Sequence, residues 1–261
     1  MLHAPTEVTD VGGVRLGSYV VGEPERGEVV VVPGLCVSAY LRPASDALAA
    51  DGYRVHLVDP PWWPRSDPPT PNPGRLADLA GPLAGWLEQR DLSDVRLVGQ
   101  SVGAQLAAHV AGQTADRVRL LVLQGPTFDP RYATMPRAAG RLLADFPRER
   151  LSLLPIQAPE WLRVGLRQVR VVARLALADR LEESLPRVRA PLLVAVGERD
   201  MLVTRTWTES LARSARSPAA EHVVMPGLPH SSPHADPVAF AELLSAFDRR
   251  VGARSPGGSG N

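Results

Sequence analysis

The sequence predicts an α/β fold: a mostly parallel sheet of eight strands flanked by helices, with a helical insertion after the sixth strand. Three observations predict it. Short apolar runs rich in Val alternate with longer helical patterns, as in parallel strands joined by crossover helices. Those runs are continuous rather than alternating, which marks strands buried on both faces. The rhythm then stops between Gln124 and Pro191, where helical stretches separated by prolines take over. A chain of 261 residues, 44% of them hydrophobic and 22% charged, can bury the core that such a sheet needs.

Each element has its own signal. Residues 8–21 read as a hairpin that turns at Gly12-Gly13. Residues 29–32 are a continuous apolar run closed by Pro33-Gly34, and the helix that follows ends at Asp51-Gly52. Residues 53–58 repeat the strand pattern, 75–89 read as helix, and 95–98 form a short strand before Gly99. A helix over about 101–111 precedes strands at 119–123, 191–196 and 221–225, and a final helix runs over 237–251. Within the insertion, helix breaks are expected at Pro136, Pro147, Pro155 and Pro159. Arg163, Arg167, Arg170 and Arg174 recur at helical spacing opposite Leu162, Leu166, Val169 and Leu175, so this stretch reads as amphipathic with a solvated arginine face. The last residues, 254–261, read as a flexible tail.

Composition excludes several function classes. The 29 basic residues, all Arg, nearly cancel the 28 acidic ones, and a net charge of +1 supplies no field for gripping a phosphate backbone. Nucleic acid is therefore not an expected partner. The single cysteine, Cys36, cannot form an internal disulfide, and no Cys/His cluster has zinc spacing. No apolar run approaches the ~20 residues that span a bilayer, and the first ten residues lack the pattern of a signal peptide. The expectation is a cytoplasmic protein acting on a small molecule, with no membrane attachment and no metal. Oligomeric state is not legible.

Chemistry enters at Gly99-Gln100-Ser101-Val102-Gly103. This is the G-x-S-x-G pattern of a nucleophile elbow, a sharp strand-to-helix turn that lifts a serine hydroxyl clear of the sheet. The pentapeptide alone is a weak signal, but it sits between a strand pattern and a helix pattern, the setting its mechanism requires. A serine hydroxyl also needs a base and a carboxylate to orient that base. Asp200 stands just beyond the strand at 191–196, with Glu198 and, further off, Asp129 as rivals. Among six histidines, His230 lies in the loop after the last strand, and His234 shares that loop as a rival. His56 and His222 belong to strands, His109 to a helix and His3 to the terminus.

Taken together these motifs resemble the α/β-hydrolase fold superfamily over nearly the whole chain, from about Val8 to Val251. Val31-Val32-Pro33-Gly34-Leu35 is similar to the family's oxyanion loop, with Pro33 where His is commoner. Residues 59–66 resemble its Asp-x-x-Gly-x-Gly-x-Ser loop, Gly197-Glu198-Arg199-Asp200 its acid loop, and His230-x5-Asp236-Pro237-x2-Phe240 its histidine loop, which favours His230 over His234. The resemblance implies a core of residues 1–126 and 189–253 and a helical cap over 127–188. It also implies a catalytic set of Ser101, Asp200 and His230, and an oxyanion hole of the Leu35 and Val102 backbone N–H groups, with no cofactor. Trp62 and Pro64 replace both glycines of the 59–66 loop. Trp62 and Trp63 are thus candidates for an apolar pocket wall, with Gln100 a third candidate substrate contact. Cys36, beside the oxyanion loop, reads as a small packed residue.

The implied reaction is hydrolysis of a small carboxylic ester or lactone through an acyl-enzyme at Ser101. His230 is followed by Ser231, where family members that cleave carbon-carbon bonds of ring-cleavage products usually carry Trp. Carbon-carbon hydrolysis, peptidase, thioesterase and cofactor-free peroxidase chemistry are the alternatives on the same residues, and a non-catalytic ligand receptor is the alternative from another class.

Overall fold

A computed structural model describes residues 6–254 apart from 70 and 218. The apolar runs become eight strands among these residues: β1 (Glu7–Val11), β2 (Val14–Val21), β3 (Glu28–Val32), β4 (Arg54–Val58), β5 (Val95–Gln100), β6 (Val118–Gln124), β7 (Leu192–Gly197) and β8 (Ala220–Met225). They form one sheet in the order β1-β2-β4-β3-β5-β6-β7-β8. The hairpin pairs antiparallel, with Gly12 and Gly13 both at positive φ in its turn, and β2 runs antiparallel to β4. Every other pair is parallel.

The chain steps outward from β3 to β4 and then crosses back to β5, so the order reverses between β3 and β5. Open parallel sheets bind ligands at such a point, beyond the carboxyl ends of the strands. Register sets those ends in a row: Val32 lies opposite Gly99, Gln100 opposite Gln124, and Gln124 opposite Ala195.

Ten helices are described: α1 (Arg42–Ala50), α2 (Ala80–Gln89), α3 (Val102–Gln113), α4 (Met135–Asp145), α5 (Leu154–Val164), α6 (Leu166–Ala178), α7 (Leu181–Ser184), α8 (Arg205–Ser214), α9 (Ser232–Ala235) and α10 (Pro237–Arg254). The unbroken apolar runs serve two cores at once. Val29 and Val31 pack with Leu48 of α1 and Phe240 and Phe247 of α10 on one face. Val30 and Val32 pack with Trp86 of α2, Leu106 of α3 and Trp207 of α8 on the other. Each such side chain contributes roughly 1.5–3 kcal/mol by leaving water, which is why strands covered on both sides carry no polar alternation.

The structure corrects the sequence reading in four places. The expected helix at 75–89 starts at Ala80, after a tighter single turn over Leu76–Leu79. Pro159 does not break a helix but lies inside α5. The neighbouring Glu160 and Trp161 are tied to the core, Glu160 accepting from the Ser38 N–H at 2.7 Å and Trp161 donating to the Leu35 carbonyl at 2.8 Å, and these contacts outweigh the missing proline donor. Gly165, at φ 92, splits the stretch read as one amphipathic helix into α5 and α6, leaving Leu162 and Leu166 exposed. Helix α8 was passed over; Thr204 caps it by accepting from the Trp207 N–H at 3.2 Å. Arg254 closes α10, and the rest of the expected tail lies outside the described residues, as does His3. No helix among the described residues is long and apolar enough to cross a membrane.

Candidate active site

The elbow follows from two glycines that cannot be anything else. A Cβ on Gly99 would stand 2.4 Å from the Gly103 carbonyl oxygen, and one on Gly103 would stand 2.2 Å from that of Val32. This close approach lets β5 turn directly into α3. Ser101 sits at the turn with φ 57 and ψ −122, a backbone conformation that costs a non-glycine residue of order 1–3 kcal/mol. Its N–H donates to the Gln124 carbonyl at 2.9 Å and its own carbonyl accepts from Ala104 at 3.0 Å. The hydroxyl is thereby fixed above the sheet.

Ser101 Oγ lies 3.0 Å from His230 Nε2, and His230 Nδ1 lies 2.8 Å from Asp200 Oδ2. The other Asp200 oxygen accepts from the Leu202 and Val203 N–H groups, both at 2.8 Å, which leaves Oδ2 free to hold the imidazole. This bond places the ring proton on Nδ1 and leaves Nε2 to accept from the serine. Burial pulls the His230 imidazolium down, but the Asp200 charge and hydrogen bond outweigh it, with Asp145 and Glu149 adding, and the ring is pushed up to about 9. Gly125 makes room for the ring: a Cβ there would meet His230 Cε1 and Nδ1 at 3.0 Å.

The rivals are engaged elsewhere. His234 contacts Ser152 at 3.0 Å and the Tyr40 carbonyl at 3.1 Å. Glu198 accepts from Gly227 at 2.7 Å, and Asp129 pairs with Arg131 and Thr204. Cys36 is buried, and burial raises its thiol far above the range in which a thiolate forms at neutral pH.

Leu35 and Val102 flank the serine on the wall of one cavity of about 280 Å³. Among the described residues neither N–H has an acceptor, so both remain available to an oxygen on a carbon attacked by Ser101. Three side chains invisible as site residues in the sequence hold this geometry. The Tyr40 hydroxyl accepts from Gly34 N–H at 3.0 Å and donates to Gln100 Oε1. Gln124 Nε2 donates to the His230 carbonyl at 3.0 Å, and Trp161 Nε1 holds the Leu35 carbonyl. Nothing in the sequence pattern singles them out, because they meet only through the packing of three separate segments, the turn after β3, the end of β6 and α5.

The candidate substrate contacts fare differently. Gln100 reaches the cavity wall, but its amide is committed to Tyr40 and to the His230 carbonyl, the latter at 3.4 Å. Trp62 and Trp63 do not line the cavity. Trp63 is fully buried behind the oxyanion loop, where its indole donates to the Gly34 carbonyl at 2.7 Å, and Trp62 occupies a positive-φ turn whose N–H donates to Asp67. The pocket wall comes from the β6–β7 insertion and the loops instead: Phe128, Met135, Leu142, Trp161 and Val169 give it an apolar lining. Arg170 is its one arginine among the described residues.

A larger groove of about 520 Å³ lies between α3 and α7 and contains His109, 2.8 Å from Asp179. Ser184 is 3.5 Å from that histidine and sits within a helical turn, with no strained elbow to present it. Ser101, His230 and the two N–H groups without acceptors come together in the smaller cavity. Among the described residues no group of three or more His, Cys, Asp or Glu side chains could hold a metal ion.

Comparison with known proteins agrees with this architecture. The family described as the alpha/beta hydrolase fold matches residues 28–179. The 2-hydroxy-6-oxononadienedioate/2-hydroxy-6-oxononatrienedioate hydrolase of Cupriavidus pinatubonensis is 37% identical over 147 residues, 52% of this chain and 50% of that one. The chain thus spans about half the length of the curated relatives it matches. Among solved structures, a putative lipase from Acinetobacter baumannii superposes with a TM-score of 0.76 at 17% identity, covering 95% of this chain and 91% of that one. A meta-cleavage product hydrolase from Pseudomonas fluorescens gives 0.70 at 21% identity, covering 94% and 98%. At such identities the structures speak for the fold alone, but the family match runs from β3 through α6, over more than half of the sequence, and the chain belongs to the alpha/beta hydrolase fold family.

Proposed function

We propose that this protein is a serine hydrolase whose β6–β7 insertion caps the cavity, and that its substrate is an anionic oxo acid cleaved at the carbon-carbon bond beside its ketone. The observation that carries the hydrolase reading is the line from Ser101 Oγ through His230 to Asp200, ending beside two N–H groups without acceptors. Curated relatives at 35–40% identity, whose names describe hydrolases of 2-hydroxy-6-oxo dioic acids, support the substrate class. Such molecules contain a ketone and no ester, so hydrolysis must break a carbon-carbon bond. Arg170, the one arginine in a mostly apolar cavity, suits a carboxylate on a conjugated chain.

The chemistry follows from the geometry. Ser101 attacks the ketone carbon while His230 Nε2 takes the hydroxyl proton, and the oxyanion accepts from the Leu35 and Val102 N–H groups. The 2-enol first passes its proton to the carbon beside the ketone, so that when collapse breaks the carbon-carbon bond the electron pair is delocalised onto the 2-oxo group as a dienolate, which takes the proton from His230 at oxygen. Water, deprotonated by His230, then releases the acyl group from Ser101 as a carboxylic acid. Losing one oxyanion donor in such a site costs ~3 kcal/mol of barrier stabilisation.

Ester or lactone hydrolysis is the second reading. Ser231, which follows His230, favours it, because that position usually carries Trp in family members that cleave carbon-carbon bonds of ring-cleavage products. An ester needs only a stable alkoxide leaving group and the same serine, histidine and donors.

One experiment separates the two: kcat/KM for a 2-hydroxy-6-oxo-dienoate, followed by loss of its chromophore, against that for a series of p-nitrophenyl esters. The proposal expects the oxo acid to be the better substrate and Ser101→Ala to abolish turnover by at least ~10³-fold. Ester turnover with an inert oxo acid overturns the carbon-carbon assignment.

A further inference from the structure

Two carboxylates of the insertion reach the candidate site from outside it. Asp145 closes α4, and Glu149 follows four residues later. Asp145 Oδ1 accepts from the N–H of Met201, the residue after Asp200, at 2.8 Å. Glu149 Oε1 accepts from the N–H of Ser231, the residue after His230, also at 2.8 Å. One short segment therefore grips both loops that carry the acid and the base. A small cavity of about 60 Å³ is lined by both carboxyl groups together with the His230 ring.

Glu149 Oε2 is buried and has no hydrogen-bond partner among the described residues. Of the arginines in this segment, Arg141 donates to the Leu202 carbonyl and Arg148 to the Ala144 carbonyl, while Arg150 lines the same small cavity and its charge also bears on His234.

We propose that Asp145 and Glu149 are positioning residues for His230. They lock the acid and histidine loops together from the insertion, and their negative charge holds the imidazolium, so that the insertion sets the pH range in which His230 acts as a base. The proposal rests on the reading of Ser101, His230 and Asp200 as nucleophile, base and orienting acid.

The surrounding charges agree. His230 faces Asp200 from the acid loop, Ser101 from the elbow, and Asp145 and Glu149 from the insertion. Tyr40, from the loop after β3, stays neutral because burial pushes its hydroxyl far up, and burial lowers His234 so that it stays neutral as well. Burial drives Glu149 up to about 7, against the His230 charge and the Ser231 N–H, and drives Asp145 upward in the same way. Nothing else within this group supplies negative charge to the ring besides Asp200.

Glu149→Gln and Asp145→Asn test this, because each keeps a carbonyl oxygen for its backbone N–H and removes only charge. The His230 imidazole is titrated by NMR in wild type, both single variants and the double variant, beside the pH profile of kcat/KM. In the double variant the His230 midpoint and the acid limb are expected to fall together by about one pH unit, while kcat on the alkaline plateau stays within a few-fold. A clamp that was merely structural would lower kcat and leave the midpoint in place, and an unmoved midpoint overturns the proposal. If the double variant does not fold, the single variants decide: a His230 midpoint that falls in either supports the proposal, and one unmoved in both overturns it. The NMR readout needs no turnover. A wild-type protein whose Ser101 takes no serine-directed phosphonate overturns the underlying reading of the site, whereas a labelled protein with unmoved midpoints overturns only the role of Asp145 and Glu149.

Discussion

At the scale of single residues, space rather than chemistry decides most of the site. Gly103 illustrates this: an added methyl group would stand 2.2 Å from the Val32 carbonyl oxygen and 2.5 Å from that of Pro33, both backbone atoms that cannot swing away. Gly103→Ala is therefore expected to lose at least ~3 kcal/mol of stability in urea denaturation, more than ordinary overpacking costs, because α3 must part from β3. Wild-type stability in that variant would contradict the close approach. The three residues that the structure joins by hydrogen bonds, Ser101, His230 and Asp200, could be singled out from chain order. Ser101 was marked by flanking glycines between a strand and a helix, Asp200 and His230 by their places just after strand ends. Trp63 was misread because a sequence tells which residue lies in a loop but not which way its side chain points; the indole turned inward to satisfy the Gly34 carbonyl. Tyr40, Gln124 and Trp161 could not be read at all, since each acts on a partner more than five residues away whose position only the folded chain defines.

At the scale of elements, the insertion is joined to the sheet by a buried carboxylate. Glu160 of α5 is fully buried; its Oε2 accepts from the N–H groups of Ser38 and Ala39 at 2.7 and 3.2 Å, and its Oε1 pairs with Arg65. Arg65 is also bound to Asp59, so α5, the oxyanion loop and the loop after β4 share one ionic knot. Glu160→Ala removes an acceptor from two N–H groups and one carboxylate from a buried guanidinium, a loss of about 3–5 kcal/mol. Because the sheet does not depend on α5, this loss is expected to appear as fast proteolysis within residues 135–178 while the β-sheet signal in circular dichroism persists. Unchanged protease resistance would contradict it. This knot also explains where helix prediction failed. Pro159 and Gly165 are strong local signals, yet only Gly165 ends a helix, because the tertiary contacts of Glu160 and Trp161 hold α5 together across the proline. The strands, by contrast, were legible because burial on both faces leaves an unbroken apolar run that few other structures produce.

At the scale of the whole molecule, the native state holds protons that the unfolded chain would release. Burial pushes Asp59 up to about 6 and Glu149 up to about 7, and the carboxylates around His230 outweigh its burial and raise it to about 9. A group whose value is raised by folding contributes stability that is complete below its unfolded value and is lost as pH rises through its folded one. All three therefore act in the same direction over the range from about pH 4 to pH 9. Asp248 acts oppositely: burial works against it, but Arg119 and Arg96 hold it below the usual carboxylate range, so its contribution is lost as pH falls through that lower value. His56, His222 and His234, lowered by burial, act oppositely as well, adding stability as pH rises toward about 6.5, so the urea midpoint is expected to decline between about pH 7 and pH 9, where His230 releases its proton. A midpoint that rises across this interval would contradict the assignment. The same carboxylates imply that turnover should climb over the alkaline interval where the fold weakens, since His230 must lose its proton to act as a base.

The proposed function requires Ser101 to be an activated nucleophile. The direct measurement is intact-protein mass spectrometry after treatment with a fluorophosphonate, on wild type, Ser101→Ala and His230→Ala, with peptide mapping of any adduct. A single adduct on Ser101 is predicted in the wild type, absent from Ser101→Ala and formed at least ~10³-fold more slowly in His230→Ala. A folded wild-type protein that takes no adduct, or takes it at a residue other than Ser101, would contradict the proposed function.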